Sequence, residues 1–379
     1  MVQRFWIAAT VFHTGLLVLT LVVARRWLRR LEPGGAPASW AHATLSDALF
    51  WGAPALVLAA LAAAFTLNGF TAIRLLSQAL FGELVVLLAA IALLLWRNRR
   101  QAGALAAALA CLMLLGAYGE AYHREPTDLR VRSHSVDLTR DGRTRGRFRI
   151  VHLSDIQADR IGAYQDHALR LAAEQKPDLI VLTGDYVQPR IGSTRARATA
   201  DLNALLRAWK FDAPLGAYAV RGDVDADWPR VFDRTRVTTL TDEVVIRGLP
   251  DGTSLSLIGV TPPMSHGRNR TALVELAGRA PRDGLRVVIG HGPDFVLNLA
   301  GTGLVDLALA GHTHGGQVVL PFIGAPYTKT RIDRRYASGL NDYLGIPIHV
   351  SAGVGMERGT APQIRFLCPP EISVLEVTY

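Results

Sequence analysis

The chain has 379 residues, of which 50% are hydrophobic and only 19% are charged, and this composition excludes an intrinsically disordered protein. The formal net charge of +9 raises the question of nucleic-acid binding, but no basic run outside short arginine clusters alternates with aromatic residues. We therefore expect no nucleic-acid partner. The two cysteines, Cys111 and Cys368, lie far apart in the sequence, which supports neither a disulfide framework nor a thiolate metal site.

The apolar residues are concentrated in the first third of the chain. A membrane-spanning helix needs about 20 mostly apolar residues, and four runs qualify: Phe5–Ala24, Ala48–Leu67, Leu75–Trp96 and Ala102–Tyr118. In these runs, alanine, leucine and valine cover the whole circumference of the helix. A helix buried in a soluble core can also be apolar, but its apolar residues more often form a single stripe. Residues 1–123 are thus predicted to form an all-α transmembrane region with four helices.

Arginine clusters predict the orientation of these helices. The loops after the first and third runs carry most of the arginines near the membrane, and short loops rich in Lys and Arg stay in the cytoplasm. A multi-pass protein of the cell membrane follows, with the lipid bilayer as a partner and the rest of the chain on the extracytoplasmic side. Two polar residues within the runs, His13 and Glu83, leave open a transport role, because ionisable groups at membrane depth are costly.

From about Arg124 the sequence changes to short apolar runs separated by Gly, Pro, Asp and Arg. This pattern predicts one soluble α/β or α+β domain over residues 124–379. Helical spacing over 164–174 and 199–209 predicts crossover helices. The predicted strands are Phe148–Leu153, Leu179–Thr183, Ala217–Val220, Ser254–Val260, Leu285–Ile289, Leu307–Ala310, Ile348–Ser351 and Ile372–Val377.

Five of these strands end in a carboxylate or an imidazole, and in four of them a glycine precedes it. The ends read Ser-Asp-Ile-Gln, Gly-Asp, Gly-Asp-Val-Asp, Gly-His and Gly-His-Thr-His, beginning at positions 154, 184, 222, 290 and 311. Ligands gather at the carboxyl ends of strands in open sheets, and glycine permits close backbone approach. Because Asp with His is a ligand mixture for divalent transition metals, the pattern predicts a metal site.

In order and rough spacing, these motifs resemble those of the calcineurin-like metallophosphoesterases over about 148–317. The string Gly-His-Thr-His-Gly-Gly-Gln from Gly311, with Ser-Ala-Gly at 351–353 and Cys-Pro-Pro-Glu-Ile at 368–372, is similar to the membrane-attached branch of that family. The resemblance implies a two-sheet β-sandwich flanked by helices, which makes the expected fold class α/β (α+β). It also implies a metal-dependent hydrolase acting on phosphoester bonds.

The resemblance further implies two divalent metal ions, with Mn²⁺ as the leading candidate and Fe, Zn or Mg as alternatives. Two such ions about 3.5 to 4 Å apart can hold a hydroxide for attack on phosphorus and neutralise the phosphoryl oxygens. Asp185 would bridge the two ions. The metal ligands carried over from the family pattern are Asp155, Gln157, Asp185, Asp223, His291, His312 and His314.

Three positions depart from the family pattern. Gln157 stands in place of His, Asp223 in place of Asn, and Val224 in place of the His that contacts phosphate and can protonate the leaving group. Losing a general acid lowers a rate by about 10² to 10⁴, so an active enzyme should favour substrates with good leaving groups. Asp225 and His266 are the residues from which a substitute acid could come.

The sequence therefore predicts a membrane-anchored, metal-dependent phosphoesterase. Its expected substrate is a phosphorylated small molecule or a lipid-linked compound, cleaved at a phosphodiester or phosphoanhydride bond. The alternative is a catalytically impaired relative that acts as a metal-binding or sensory membrane protein. A further class, a transporter that uses Glu83 or His13, also stays open.

Overall fold

The computed structural model describes residues 9–16, 18, 69–140, 142–189, 194–226, 228–359 and 361–379. The chain divides into two units. One comprises Met1–Glu120 with Gly359–Pro362, and the other comprises Ala121–Arg358 with Gln363–Tyr379.

The described part of the first unit is mostly helical. Helix α1 (Gly69–Arg97) contains a π-helical turn over Ala79–Glu83, and helix α2 (Gln101–Gly119) continues through short turns to Thr127. Within the described residues, these two helices are long and apolar enough to cross a membrane, judged by length and composition.

The structure contains helices at some of the predicted membrane spans. The third and fourth spans, 75–96 and 102–118, lie within α1 and α2. The second span, 48–67, lies outside the described residues, and of the first span, 5–24, only residues 9–16 and 18 are described, all of them helical.

The second unit contains two six-stranded mixed sheets. The first has the strand order β1-β12-β2-β3-β4-β5 and the second has the order β10-β11-β9-β8-β7-β6. The strands are β1 (Arg130–Asp137), β2 (Arg147–Leu153), β3 (Leu179–Leu182), β4 (Ala217–Val220), β5 (Val237–Leu240), β6 (Glu243–Gly248), β7 (Ser254–Gly259), β8 (Leu285–Ile289), β9 (Leu307–Ala310), β10 (Gly339–Tyr343), β11 (Ile346–Val350) and β12 (Glu371–Thr378).

The sheets pack face to face with helices on both outer sides. Ile150 and Val181 of the first sheet share one buried cluster with Val287 and Leu309 of the second. The outer faces are covered by helices α3 (Ala163–Glu174), α4 (Arg195–Ala208), α5 (Pro262–Ser265), α6 (Arg270–Gly278) and α7 (Val296–Leu299). The predicted two-sheet sandwich flanked by helices is confirmed.

All eight predicted strands are present, and the helices predicted over 164–174 and 199–209 correspond to α3 and α4. The prediction missed β1, β5, β6 and β10, which are the four outermost strands of the two sheets. An edge strand buries little surface, so its sequence carries a weak hydrophobic pattern. Strand β1 illustrates this, because most of its residues are exposed.

Candidate metal centre

The predicted ligands come together because parallel strands from both sheets end at the same edge of the sandwich. Asp155, Asp185 and Asp223 follow β2, β3 and β4, which are parallel neighbours in the first sheet. His291 and His312 follow the parallel strands β8 and β9 of the second sheet. The carboxyl ends of five strands thus deliver carboxylates and imidazoles to one place, as the sequence predicts.

One group of four side chains converges closely. Single ligand atoms of Asp185, Asp223, His291 and His312 all lie within 4.8 Å of one another. His291 Nε2 lies 3.3 Å from Asp185 Oδ2 and 3.1 Å from His312 Nδ1. Two ligand atoms on one divalent ion, each about 2.1 Å from it, are separated by roughly 3.0 to 3.4 Å. The spacing therefore fits a bound ion.

The orientation of His291 also fits. Its Nδ1 lies 2.8 Å from the backbone carbonyl oxygen of Thr183, which can only accept a hydrogen bond. The proton of the neutral ring therefore resides on Nδ1, and the lone pair of Nε2 faces Asp185 and His312. A metal-binding histidine is commonly held by such a bond from its other nitrogen.

Asp155 and His314 form a second group, to which the family pattern adds Gln157 as a predicted ligand. Asp155 Oδ1 lies 3.5 Å from His314 Nε2, and its Oδ2 accepts a hydrogen bond of 3.0 Å from the backbone of His312. Gln157 Nε2 donates to Gln188 Oε1 at 3.1 Å, so the amide of Gln157 is turned with its carbonyl oxygen away from Gln188. That oxygen, Oε1, is buried and has no hydrogen-bond partner among the described residues. A buried oxygen of this kind suits a metal ligand.

The backbone of the site is unusual. Five predicted ligands are non-glycine residues with a left-handed φ, namely Asp155 (51°), Gln157 (40°), Asp185 (54°), His312 (71°) and His314 (49°). Such conformations are uncommon outside glycine and cluster at functional sites. Gly222 permits the packing around Asp185, because a Cβ at Gly222 would collide with Asp185 Oδ1.

Burial perturbs the titration of these groups. Burial raises the pKa of Asp185 to about 8, and burial together with the charge of His291 lowers the pKa of His312 well below its usual range. For His291 the carboxylates outweigh burial, since Asp185 raises its pKa well above the ordinary value. A set of carboxylates, imidazoles and one amide oxygen suits divalent ions, which favour the deprotonated forms of these ligands.

The two residues predicted as substitute acids have different surroundings. Asp225 is buried, and its carboxylate accepts hydrogen bonds of 2.8 to 2.9 Å from the backbone N–H groups of Asp185, Tyr186 and Gly222. This favours a role in holding the loop that carries Asp185. His266 is half-buried, and its ring centroid lies 4.7 Å from that of His312 and 6.1 Å from that of His291.

Replacing Asp225 with Ala should destabilise the fold by about 3 kcal/mol or more, because three buried backbone N–H groups would lose their acceptor. Chemical denaturation of the metal-free, full-length protein measures this change. Asp225→Asn keeps one acceptor oxygen and should have a smaller effect. If Asp225→Ala instead left stability unchanged but removed turnover, Asp225 would be a proton donor.

The sequence reasoning missed a cation beside the centre. Lys329 Nζ lies 3.9 Å from Asp223 Oδ2 and 3.4 Å from Glu357 Oε2. Glu357 is linked onward, since Gln188 Nε2 donates to its Oε1 at 3.0 Å. A signal was present, because Lys329 is one of only three lysines in a chain whose 41 Lys and Arg residues are otherwise arginine.

Comparisons with known proteins found a matching family and several similar chains. Residues 148–316 match the family described as calcineurin-like phosphoesterase. The uncharacterized metallophosphoesterase YkuE of Bacillus subtilis is 30% identical over 285 residues, covering 72% of this chain and 93% of that protein. Phosphodiesterase YaeI of Escherichia coli is 27% identical over 277 residues, covering 72% of this chain and 97% of that protein. The solved structure of Yfce, a phosphoesterase from E. coli, matches at 15% identity with a TM-score of 0.26, over 57% of this chain and 85% of that chain.

Proposed function

The chain belongs to the calcineurin-like metallophosphoesterase family of metal-dependent phosphoester hydrolases, and we propose that it cleaves a phosphodiester or a phosphoanhydride with a good leaving group. The main observation behind this proposal is that ligand atoms of Asp185, Asp223, His291 and His312 lie within 4.8 Å of one another, while position 224 is a valine. The relative YaeI is named a phosphodiesterase, which agrees with the substrate class.

In this proposal, one ion is held by Asp155, Gln157, Asp185 and His314, and the other by Asp185, Asp223, His291 and His312. Two divalent ions in such a site lower the pKa of a water molecule and neutralise charge on the phosphoryl oxygens. Of the candidate ions, Mn²⁺ suits the mixture of oxygen and imidazole ligands, and Fe, Zn or Mg are the alternatives.

Val224 cannot donate a proton, so a leaving group would depart with little help from that position. We assign His266 the task of donating a hydrogen bond to the substrate. Burial lowers the pKa of His266 to about 4, so its ring is neutral near pH 7 and carries one N–H donor. Asp225 acts in this scheme through the backbone of the Asp185 loop.

The proposal places the enzyme in the cell membrane as a multi-pass protein with its phosphoesterase unit on the extracytoplasmic side. Helices α1 and α2 are long and apolar enough to span a bilayer, and the arginine clusters supply the orientation. A site tethered there would meet lipid-linked phosphates at high local concentration, which makes them the substrates to test first. Protease protection of a C-terminal tag in sealed vesicles tests the orientation.

The function is tested with the full-length protein in detergent, stripped of metal and reloaded with Mn²⁺, Mg²⁺, Zn²⁺ or Fe²⁺. We expect metal-dependent hydrolysis of bis-p-nitrophenyl phosphate, and rates that fall steeply for aryl diesters whose leaving groups are more basic, since no acid assists them well. Elemental analysis provides the metal content. A folded, metal-loaded protein that hydrolyses none of these diesters would point instead to the metal-binding or sensory alternative.

A further inference from the structure

Among the predicted ligands, which all lie in the described part of the chain, Asp223 is the most exposed. Asp155, Gln157, Asp185, His291 and His314 are all essentially buried, and His312 is 6% exposed. The Asp223 side chain, in contrast, is 29% exposed, and the neighbouring Lys329 side chain is 32% exposed. Asp223 and Lys329 therefore lie where solvent, and a substrate phosphate, can reach the ligand cluster.

The loop that carries Lys329 is fixed to the strand end that carries a predicted ligand. Asp294 lies three residues after His291, and its buried carboxylate accepts hydrogen bonds of 2.9 Å from the backbone N–H groups of both Arg331 and Ile332. Lys329 itself has a left-handed φ of 62°. The backbone next to Lys329 is therefore anchored, which limits the region that the ammonium group can reach.

Lys329 is also linked to both groups of predicted ligands. Its Nζ lies 3.9 Å from Asp223 Oδ2 on one side. On the other side it donates to Glu357 Oε2 at 3.4 Å, and Glu357 accepts from Gln188, which in turn accepts from Gln157. These contacts hold a positive charge between the two ligand groups, on the side open to solvent.

A cation beside Asp223 would favour the binding of a phosphate anion. The residue at position 223 is a carboxylate, which repels an incoming phosphate anion, and Val224 offers no hydrogen-bond donor from its side chain. A lysine ammonium provides three N–H donors and a compact positive charge, and it binds phosphate as a point charge. Lys329 can thus offset the charge of Asp223 and donate to the phosphate in the same position.

We propose that Lys329 is the phosphate-binding cation of this site and that its Nζ contacts a non-bridging oxygen of the substrate's phosphoryl group. The inference rests on the proposed phosphoesterase function, because it assumes that the phosphate anion is bound at the ligand cluster. It identifies the residue that supplies the substrate contact missing at Val224.

The test uses full-length protein loaded with Mn²⁺ and inorganic phosphate as the probe. Lys329→Met should weaken phosphate binding, measured by calorimetry, by about 10- to 100-fold, since a charge-assisted hydrogen bond is lost. The KM for bis-p-nitrophenyl phosphate should rise by a similar factor while the metal content stays unchanged. Lys329→Arg, which keeps the charge, should remain within a few-fold of the wild type. Lys210→Met, at an exposed position just after α4, is the matched control and should behave as the wild type.

The outcomes separate this inference from the proposed function. Unchanged phosphate affinity in a metal-loaded Lys329→Met protein would overturn the inference. Loss of metal from that variant would also overturn it, because Lys329 would then act by holding Asp223. If the wild type bound phosphate through Lys329 but hydrolysed no diester, the proposed function would fail and the inference would stand.

Discussion

Replacing Asp185 with Asn should lower kcat/KM for bis-p-nitrophenyl phosphate by at least about 1,000-fold, equivalent to about 4 kcal/mol of lost transition-state stabilisation. Asp185 belongs to the converging group of four ligands and is the predicted bridge to the second group. Its Oδ2 lies 3.3 Å from His291 Nε2, while its Oδ1 accepts a hydrogen bond of 3.1 Å from the backbone of Val224. An amide oxygen can keep the second contact but lacks the charge that holds two cations.

Metal content and circular dichroism, measured beside activity, show whether the loss arises from the site or from unfolding. Asp306→Asn is the matched control, because Asp306 is also a partly buried acceptor, bonded to the backbone N–H of Arg286, but it precedes β9 rather than following it. We expect its activity to equal that of the wild type. Full metal loading and normal turnover in Asp185→Asn would contradict the assignment of a bridging ligand.

Introducing histidine at position 224 should accelerate cleavage of poor substrates by about 100-fold while changing bis-p-nitrophenyl phosphate hydrolysis little. A general acid contributes about 10² to 10⁴ when the leaving group is basic, and much less when it is not. Position 224 should accept a histidine, since the backbone N–H of Val224 donates a hydrogen bond to Asp185 and the side chain of Val224 is only half-buried. The slope of log kcat against leaving-group pKa, over a series of aryl diesters, measures the effect.

Val224→Asn serves as the control for this experiment, because it introduces a polar side chain without an acidic proton. It should leave the slope as steep as in the wild type. A slope as steep as in the wild type for a folded, metal-loaded Val224→His protein would contradict this prediction. If the wild-type slope were itself shallow and Val224→His left it unchanged, an acid would already be present in the native site. His266, which packs against His312, would then be the residue to replace next.

The central strands and the polar residues that follow them were predictable from the sequence for one reason, whereas the two-sheet sandwich and the individual metal ligands were expected from the family resemblance. Buried strands leave strong apolar runs, and the polar residues directly after those runs must meet at one edge of the sheets. The edge strands β1, β5, β6 and β10 lacked such runs and were missed. The membrane region was predicted from length and composition, and within the described part of the chain two of the four predicted spans have matching helices.

The residues around the ligands were harder to predict from the sequence, because their positions depend on contacts between distant segments. No local pattern shows that Lys329 lies beside Asp223, or that Gln188 turns the amide of Gln157. The role of Asp225 was also hidden, since an acceptor for three backbone N–H groups looks the same in sequence as an acid facing a substrate. Such distinctions need the geometry of hydrogen-bond donors and acceptors.

Because the predicted ligands follow strands of both sheets, ions bound there would also fasten one sheet to the other. Unfolding either half would then require releasing the ions, so each tenfold rise of free metal above the dissociation constant of a site adds about 1.4 kcal/mol to the stability of the fold. A shortage of metal would lower the stability of both sheets as well as stop hydrolysis. The amount of folded enzyme would in this way follow the supply of the metal.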